Sequence, residues 1–255
     1  MIEALDRIVV AAASPQAALT DCALVLGRRA EGAAFRLANV RLEIVAAGAG
    51  GQGLAGLAFA VTDLGQARRL LERRALPLAG PPAHAEEARS ALHLAPAATH
   101  GVAISLTVSA PTAPAVSPLA AAGAASAVTG LDHVVIRSPD PERAIVLYAG
   151  RLGLSLRLDR TEPAWGSRLL FFRCGDLVVE VVHDLAAGPG AGPDRLWGLS
   201  WRVEDIAAAH ARLRAAGVDV SDPRAGRRPR TRVLTVRSHT AGVPTLLIGP
   251  DRAAT

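Results

Sequence analysis

Short apolar runs broken by single polar residues recur along this chain, bounded by Gly, Pro, Asp or Ser, a pattern that predicts strands. Leu5–Val10 is one such run, and Leu131–Ile136 repeats its shape in the second half. Val40–Val45 and Leu177–Val182 follow, each with one glutamate, Glu43 or Glu180, among apolar neighbours. Gly56–Leu64 then matches Gly198–Ile206, and Gly101–Leu106 matches Gly242–Leu247. Four landmarks in the same order imply a duplication. The expected organisation is a domain over 1–107, an Ala/Pro-rich linker over 108–129, a second domain over 130–250 and a tail over 251–255.

Helices are expected after the first strand of each repeat. Asp140, Pro141 and Glu142 set a cap, a first-turn proline and an early carboxylate ahead of Ile145, Tyr148 and Leu152. Asp205 precedes a stripe of Ile206, Ala209, Leu213 and Ala216 that stops at Gly217. Asp63 precedes Leu64, Ala67 and Leu71 in the same way. These aspartates read as caps, not as catalytic carboxylates. Each half is thus read as two strand–helix–strand-hairpin modules, and the fold class as α+β.

Composition narrows the chemistry. The 255 residues can bury two ordinary cores. All 28 basic residues are arginine, which excludes Schiff-base, P-loop and general-base lysines. A net charge of +5 is modest for this length. Its one cluster, Arg224, Arg227, Arg228, Arg230 and Arg232, lacks interleaved aromatics, so it reads as a solvated loop first and an anchor for an anionic substrate tail second. No nucleic-acid partner is expected. Cys22 and Cys174 form neither a CxxC nor a secreted disulfide framework. The N-terminus has no apolar signal region, and Pro111, Pro114 and Pro118 break the Ala-rich run 110–127. A cytoplasmic protein with no membrane partner is therefore expected. Signatures for serine hydrolases, zinc proteases and dinucleotide folds are missing. The glycine-rich run Gly48–Gly53 reads as a flexible connection between strands, with Gly188–Pro193 at the matching junction.

Leu131–Ile136, the Glu180 strand and Trp201–Ile206 together resemble the vicinal oxygen chelate superfamily of glyoxalases, bleomycin-resistance proteins and extradiol dioxygenases. The resemblance implies four βαβββ modules forming two half-open mixed-sheet barrels, with helices outside and a cavity on the other sheet face. Residues two apart on a strand share a face. The cavity face of the second half would then carry His133 and Val135, Val178, Glu180 and Val182, then Gly198, Ser200 and Arg202, then Pro244 and Leu246. Trp201 and Val203 would lie under a helix.

Carried over position by position, the family's ligands fall on His133 and Glu180, which can bind metal, and on Gly198 and Leu246, which cannot. A dioxygenase-like site would keep only His133. His183 is an odd step from Glu180 and should face away; His239 is a further imidazole nearby in sequence. The first half has Arg7, Glu43, Gly56 and Ser105 at these positions. Arg7 and Glu43 would form an ion pair there or stand as rim residues.

The candidate catalytic residues are therefore His133 and Glu180, which are also the candidate ligands for one divalent metal (Fe, Zn, Ni or Mn). A metal-free polar pair is the favoured arrangement. In it Glu180 serves as general base, with apolar Val178 and Val182 raising its pKa. Arg202, Ser200, Val135, Val178 and Leu246 are the candidate substrate contacts. Three functions remain open: a lyase, isomerase or dioxygenase acting on a small oxygenated metabolite, a metal-free protein that sequesters a small molecule, and an Arg-rich surface for an acidic partner. Whether modules pair within one chain or across a homodimer is open too.

Overall fold

The computed structural model describes residues 2–80, 91–108 and 123–251. Most of the expected linker, at 109–122, and the tail from 252 lie outside the described residues. The chain is α+β, with two large mixed sheets, neither closed into a barrel. No helix among the described residues is long and apolar enough to cross a membrane.

The first sheet contains β1 (Ile2–Ala12), β2 (Ala34–Arg36), β3 (Arg41–Ala46), β4 (Gly53–Val61), β5 (Leu78–Ala79), β6 (Ala91–Leu94) and β7 (Ile104–Val108). Their spatial order is β2-β3-β1-β4-β7-β6-β5. The second contains β8 (Val128–Arg137), β9 (Ser155–Glu162), β10 (Ser167–Cys174), β11 (Leu177–Asp184), β12 (Arg195–Val203), β13 (Arg224–Ala225), β14 (Thr231–Val236) and β15 (Thr245–Pro250). Their order is β13-β14-β15-β12-β8-β11-β10-β9. Three modules have the full strand–helix–three-strand form. The first is a strand short among the described residues: its segment 28–33 is polar, turns at Gly32 with φ 60°, and makes isolated bridges, one from Glu31 to Ala34, in place of a strand.

The helices are α1 (Pro15–Leu26), α2 (Leu64–Arg73), α3 (Pro141–Ile145) and α4 (Ile206–Ala215). Side chains of Asp63, Asp140 and Asp205 accept from the amides of Gln66, Arg143, and Ala207 with Ala208, so all three aspartates are occupied as caps. α3 continues into a π-turn over Val146–Arg151, where the Leu152 amide donates to the Leu147 carbonyl at 2.8 Å. Tyr148 on that turn is fully buried, its ring 5.5 Å from that of Phe172.

The chain divides into two compact units. One is drawn from Met1–Ile8, Ala55–Thr112 and His133–Trp197. Within it Val134, Ile136, Val179 and Val181 form an apolar layer under α3, and the Asp194 amide donates to the His100 carbonyl at 2.7 Å. The other is drawn from Val9–Leu54, Ala113–Asp132 and Gly198–Thr255. Its core holds Phe35, Leu37, Trp201, Leu213, Leu234 and Leu247. Here the Asn39 side-chain amide accepts from the Leu131 N–H and donates to the Leu131 carbonyl, both at 2.9 Å, as a strand residue would. A Cβ at Gly130 would stand 2.7 Å from the Asn39 Oδ1, so the bridge requires glycine there.

Candidate functional site

β8 and β11 run parallel, with Val178 opposite His133 and Glu180 opposite Val135. Strand alternation therefore sends His133, Val135, Val178, Glu180 and Val182 to one face, while Val134, Ile136, Val179 and Val181 fill the other. On the first face His133 Nε2 lies 3.3 Å from Glu180 Oε2, with side-chain exposures of 20% and 10%. Antiparallel β10 sets Phe171 opposite Glu180 and Leu169 opposite Val182, so the pair sits on an apolar floor. A carboxylate in such surroundings needs a hydrogen-bond partner, and the imidazole supplies one. His183 is buried and lies an odd step away; its Nδ1 is 3.1 Å from the Ser138 carbonyl, to which it donates.

The other predicted contacts divide differently. Ser200 and Arg202 on β12 and Leu246 on β15 lie in the other unit. Ser200 is buried and its Oγ has no hydrogen-bond partner, while Leu246 is half-buried. Arg202 Nε reaches Asp132 Oδ1 at 3.3 Å, and Arg228 Nη2 meets the same oxygen at 3.3 Å. Asp132 thus anchors one member of the arginine cluster as well as Arg202. Asp132 is the only carboxylate in the run Leu131–Ile136. Arg7 and Glu43, on β1 and β3, are each half-buried. His239 has a left-handed backbone, with its Nδ1 2.9 Å from Ser238 Oγ and its Nε2 3.9 Å from Asp21 Oδ1.

At Gly198, which the resemblance set against a family histidine, the backbone leaves no room for a side chain. A Cβ would lie 2.8 Å from the Pro244 carbonyl oxygen, and that oxygen already accepts from the Leu199 amide at 3.0 Å. The obstacle is backbone, so a histidine could enter only by displacing a strand. Among the described residues no three His, Cys, Asp or Glu side chains come together as a ligand group. Catalytic divalent sites take about three protein ligands. The residues present do not fit such an ion.

Neither cysteine offers a nucleophile. Burial first, and then a neighbouring aspartate, pushes Cys22 and Cys174 up to about 12. Unfolded thiols release their protons near pH 9, whereas the folded thiols hold theirs to about pH 12. The unfolded state then binds fewer protons, so stability is unaffected below that range and falls as pH rises through it. Each thiol contributes a loss of about 1.4 kcal/mol per pH unit. Urea midpoints measured from pH 8 to 11 should decline accordingly, and substituting both cysteines with serine should flatten the decline.

Val182 of this face also lines a cavity of about 480 Å³, together with Arg137, Trp165, His183 and Arg195 among others.

Residues 132–235 match the model of the Glyoxalase/Bleomycin resistance protein/Dioxygenase superfamily. An ethylmalonyl-CoA/methylmalonyl-CoA epimerase of Cereibacter sphaeroides is 34% identical over 97 residues, which is 35% of this chain and 72% of that one. The chain belongs to the glyoxalase/bleomycin resistance/dioxygenase superfamily. Two solved structures show the same fold over nearly the whole length. A halotolerant catechol dioxygenase, BphC, aligns with 98% of this chain and 87% of its own, at 16% identity and a TM-score of 0.68. A mutant 4-hydroxymandelate synthase from Streptomyces coelicolor aligns with 98% of this chain and 93% of its own, at 14% identity and a TM-score of 0.70. Members of the superfamily commonly use a divalent metal.

Proposed function

We propose that the second half, residues 130–250, is a small-molecule-binding domain of the bleomycin-resistance type. In this reading the ligand lies over the His133–Glu180 pair and no metal mediates its capture. The observation that carries this is the pair itself: a histidine and a carboxylate satisfy each other on an apolar floor, while the matching Gly198 is closed by the Pro244 backbone. Val135 and Val178 supply the apolar contacts beside the pair, with Glu180 as acceptor for a ligand hydroxyl or N–H.

Thermal denaturation with a panel of small carboxylic acids and their esters tests it. A ligand at a hundred times its dissociation constant adds about 2.7 kcal/mol. The stabilisation should persist in EDTA and disappear in His133→Ala and Glu180→Ala. Stabilisation that EDTA removes and a divalent ion restores would contradict the reading.

The identity to an epimerase favours one second reading, an isomerase. Here Glu180 takes a proton from the carbon beside a carbonyl and returns it, while His133 holds the carboxylate in position. Solvent deuterium should then enter the α position of the thioester or acid, and Glu180→Gln should slow that exchange by about 10²–10⁴-fold. Binding without exchange favours sequestration.

A further inference from the structure

Tryptophan is scarce here, with three in the chain. Trp201 is in the core, whereas Trp165 and Trp197 are 38% and 41% exposed. Both exposed rings carry a guanidinium: Arg137 Cζ lies 3.4 Å from the Trp197 ring centroid and Arg160 Cζ 5.1 Å from that of Trp165. Trp165, Arg137 and Arg195 line the 480 Å³ cavity.

Three arginines of this unit are held in ion pairs. Arg143 pairs with Asp194, Arg168 with Asp159 and Glu142, and Arg160 with Glu162. The side chains of Arg137 and Arg195 make neither a hydrogen bond nor an ion pair among the described residues, and that of Arg137 lies instead on the Trp197 ring. One carboxylate lines the cavity, Asp184, and its Oδ1 is taken by the Ala186 amide. A guanidinium resting on an indole face has shed part of its water and its rotamer freedom, yet keeps its edge for a planar or tetrahedral oxyanion. Arg137, so placed, shares the cavity with a second cation, Arg195, and together they favour an anion.

Arg137 and Val182 belong both to the cavity lining and to the strand face that carries His133 and Glu180. Arg137 stands opposite Val182, one pleat beyond the Glu180–Val135 pair. Arg137 is four steps along the strand from His133, about 13 Å.

We propose that this cavity is an oxyanion subsite, holding a carboxylate or phosphate at the far end of an elongated ligand whose other end lies over His133 and Glu180. The subsite rests on the reading of that pair as the ligand's main contact, but it is testable alone. The experiment is a titration of the full chain with inorganic pyrophosphate and, separately, with succinate, followed by tryptophan fluorescence at low salt. A saturable change is expected with at least one anion, and which one responds distinguishes phosphate from carboxylate recognition. Arg137→Gln and Arg195→Gln should each weaken it by about tenfold or more, with unchanged circular dichroism. Arg214→Gln, an exposed arginine of α4, should leave it unchanged. His133→Ala should also leave it unchanged, so loss of the pair's role and loss of the subsite give different results. No saturable change with either anion, or equal weakening by the α4 substitution, overturns the proposal.

Discussion

Asp194→Ala is expected to destabilise the protein by about 3–5 kcal/mol, because it strands a guanidinium in the interior. The Asp194 side chain is wholly buried, and its Oδ1 accepts from Ser138 Oγ and from Arg143 Nη2, both at 2.7 Å. Removing it leaves Arg143 largely out of water without its counter-charge. It also strips the hydroxyl of Ser138 of an acceptor, and Ser138 receives the hydrogen bond of His183. Asn at the same position keeps an acceptor but not the charge, and should cost less. Arg143→Ala in the Asp194→Ala background should add little, because the two side chains share one interaction. Urea denaturation of the four proteins measures this. A loss below about 1 kcal/mol, the range of solvated pairs, would mean that water reaches the pair.

Trp201→Ala is expected to cost a similar amount, about 3–5 kcal/mol, for a different reason. Trp201 heads the largest buried side chains and is 2% exposed. Around it stand Val10, Cys22, Val25, Leu26 and Leu199, short side chains that cannot swing into the space an indole leaves. With only 3% aromatic residues, the chain has few other large groups to refill it. At about 2–4 °C per kcal/mol for a chain of this size, the melting temperature should fall by roughly 10 °C. Trp165→Ala, on an exposed turn, should change it little. Calorimetry of both variants decides between burial and mere aromatic content, since equal effects would defeat the packing account.

The sequence was most legible where one face of a strand is buried. Val134 and Ile136, or Val179 and Val181, alternate so strictly with His133, Val135, Val178 and Glu180 that the face of each side chain follows from counting. The caps at Asp63, Asp140 and Asp205 were legible for the same kind of local reason. β9 was not, because it lies at a sheet edge and its residues are mostly exposed, leaving no apolar stripe to read. The π-turn at Val146–Arg151 was invisible too, since a widened turn keeps the residues of an ordinary helix.

At the site, the approach of His133 to Glu180 could be anticipated from register alone. The Asp132 contacts with Arg202 and Arg228 could not, because Arg228 comes from a distant loop whose path no local pattern fixes. The closure of Gly198 by the Pro244 carbonyl belongs to the same class. Sequence shows a glycine there; only the fold shows that no side chain would fit.

Elemental analysis of protein purified without chelator or metal-affinity resin bears most directly on the two-donor centre. Iron, zinc, nickel and manganese should all fall far below one ion per chain, with His133→Ala indistinguishable from the parent. Near-stoichiometric content of any of them, lost on that substitution, would contradict a ligand site built on His133 and Glu180 alone.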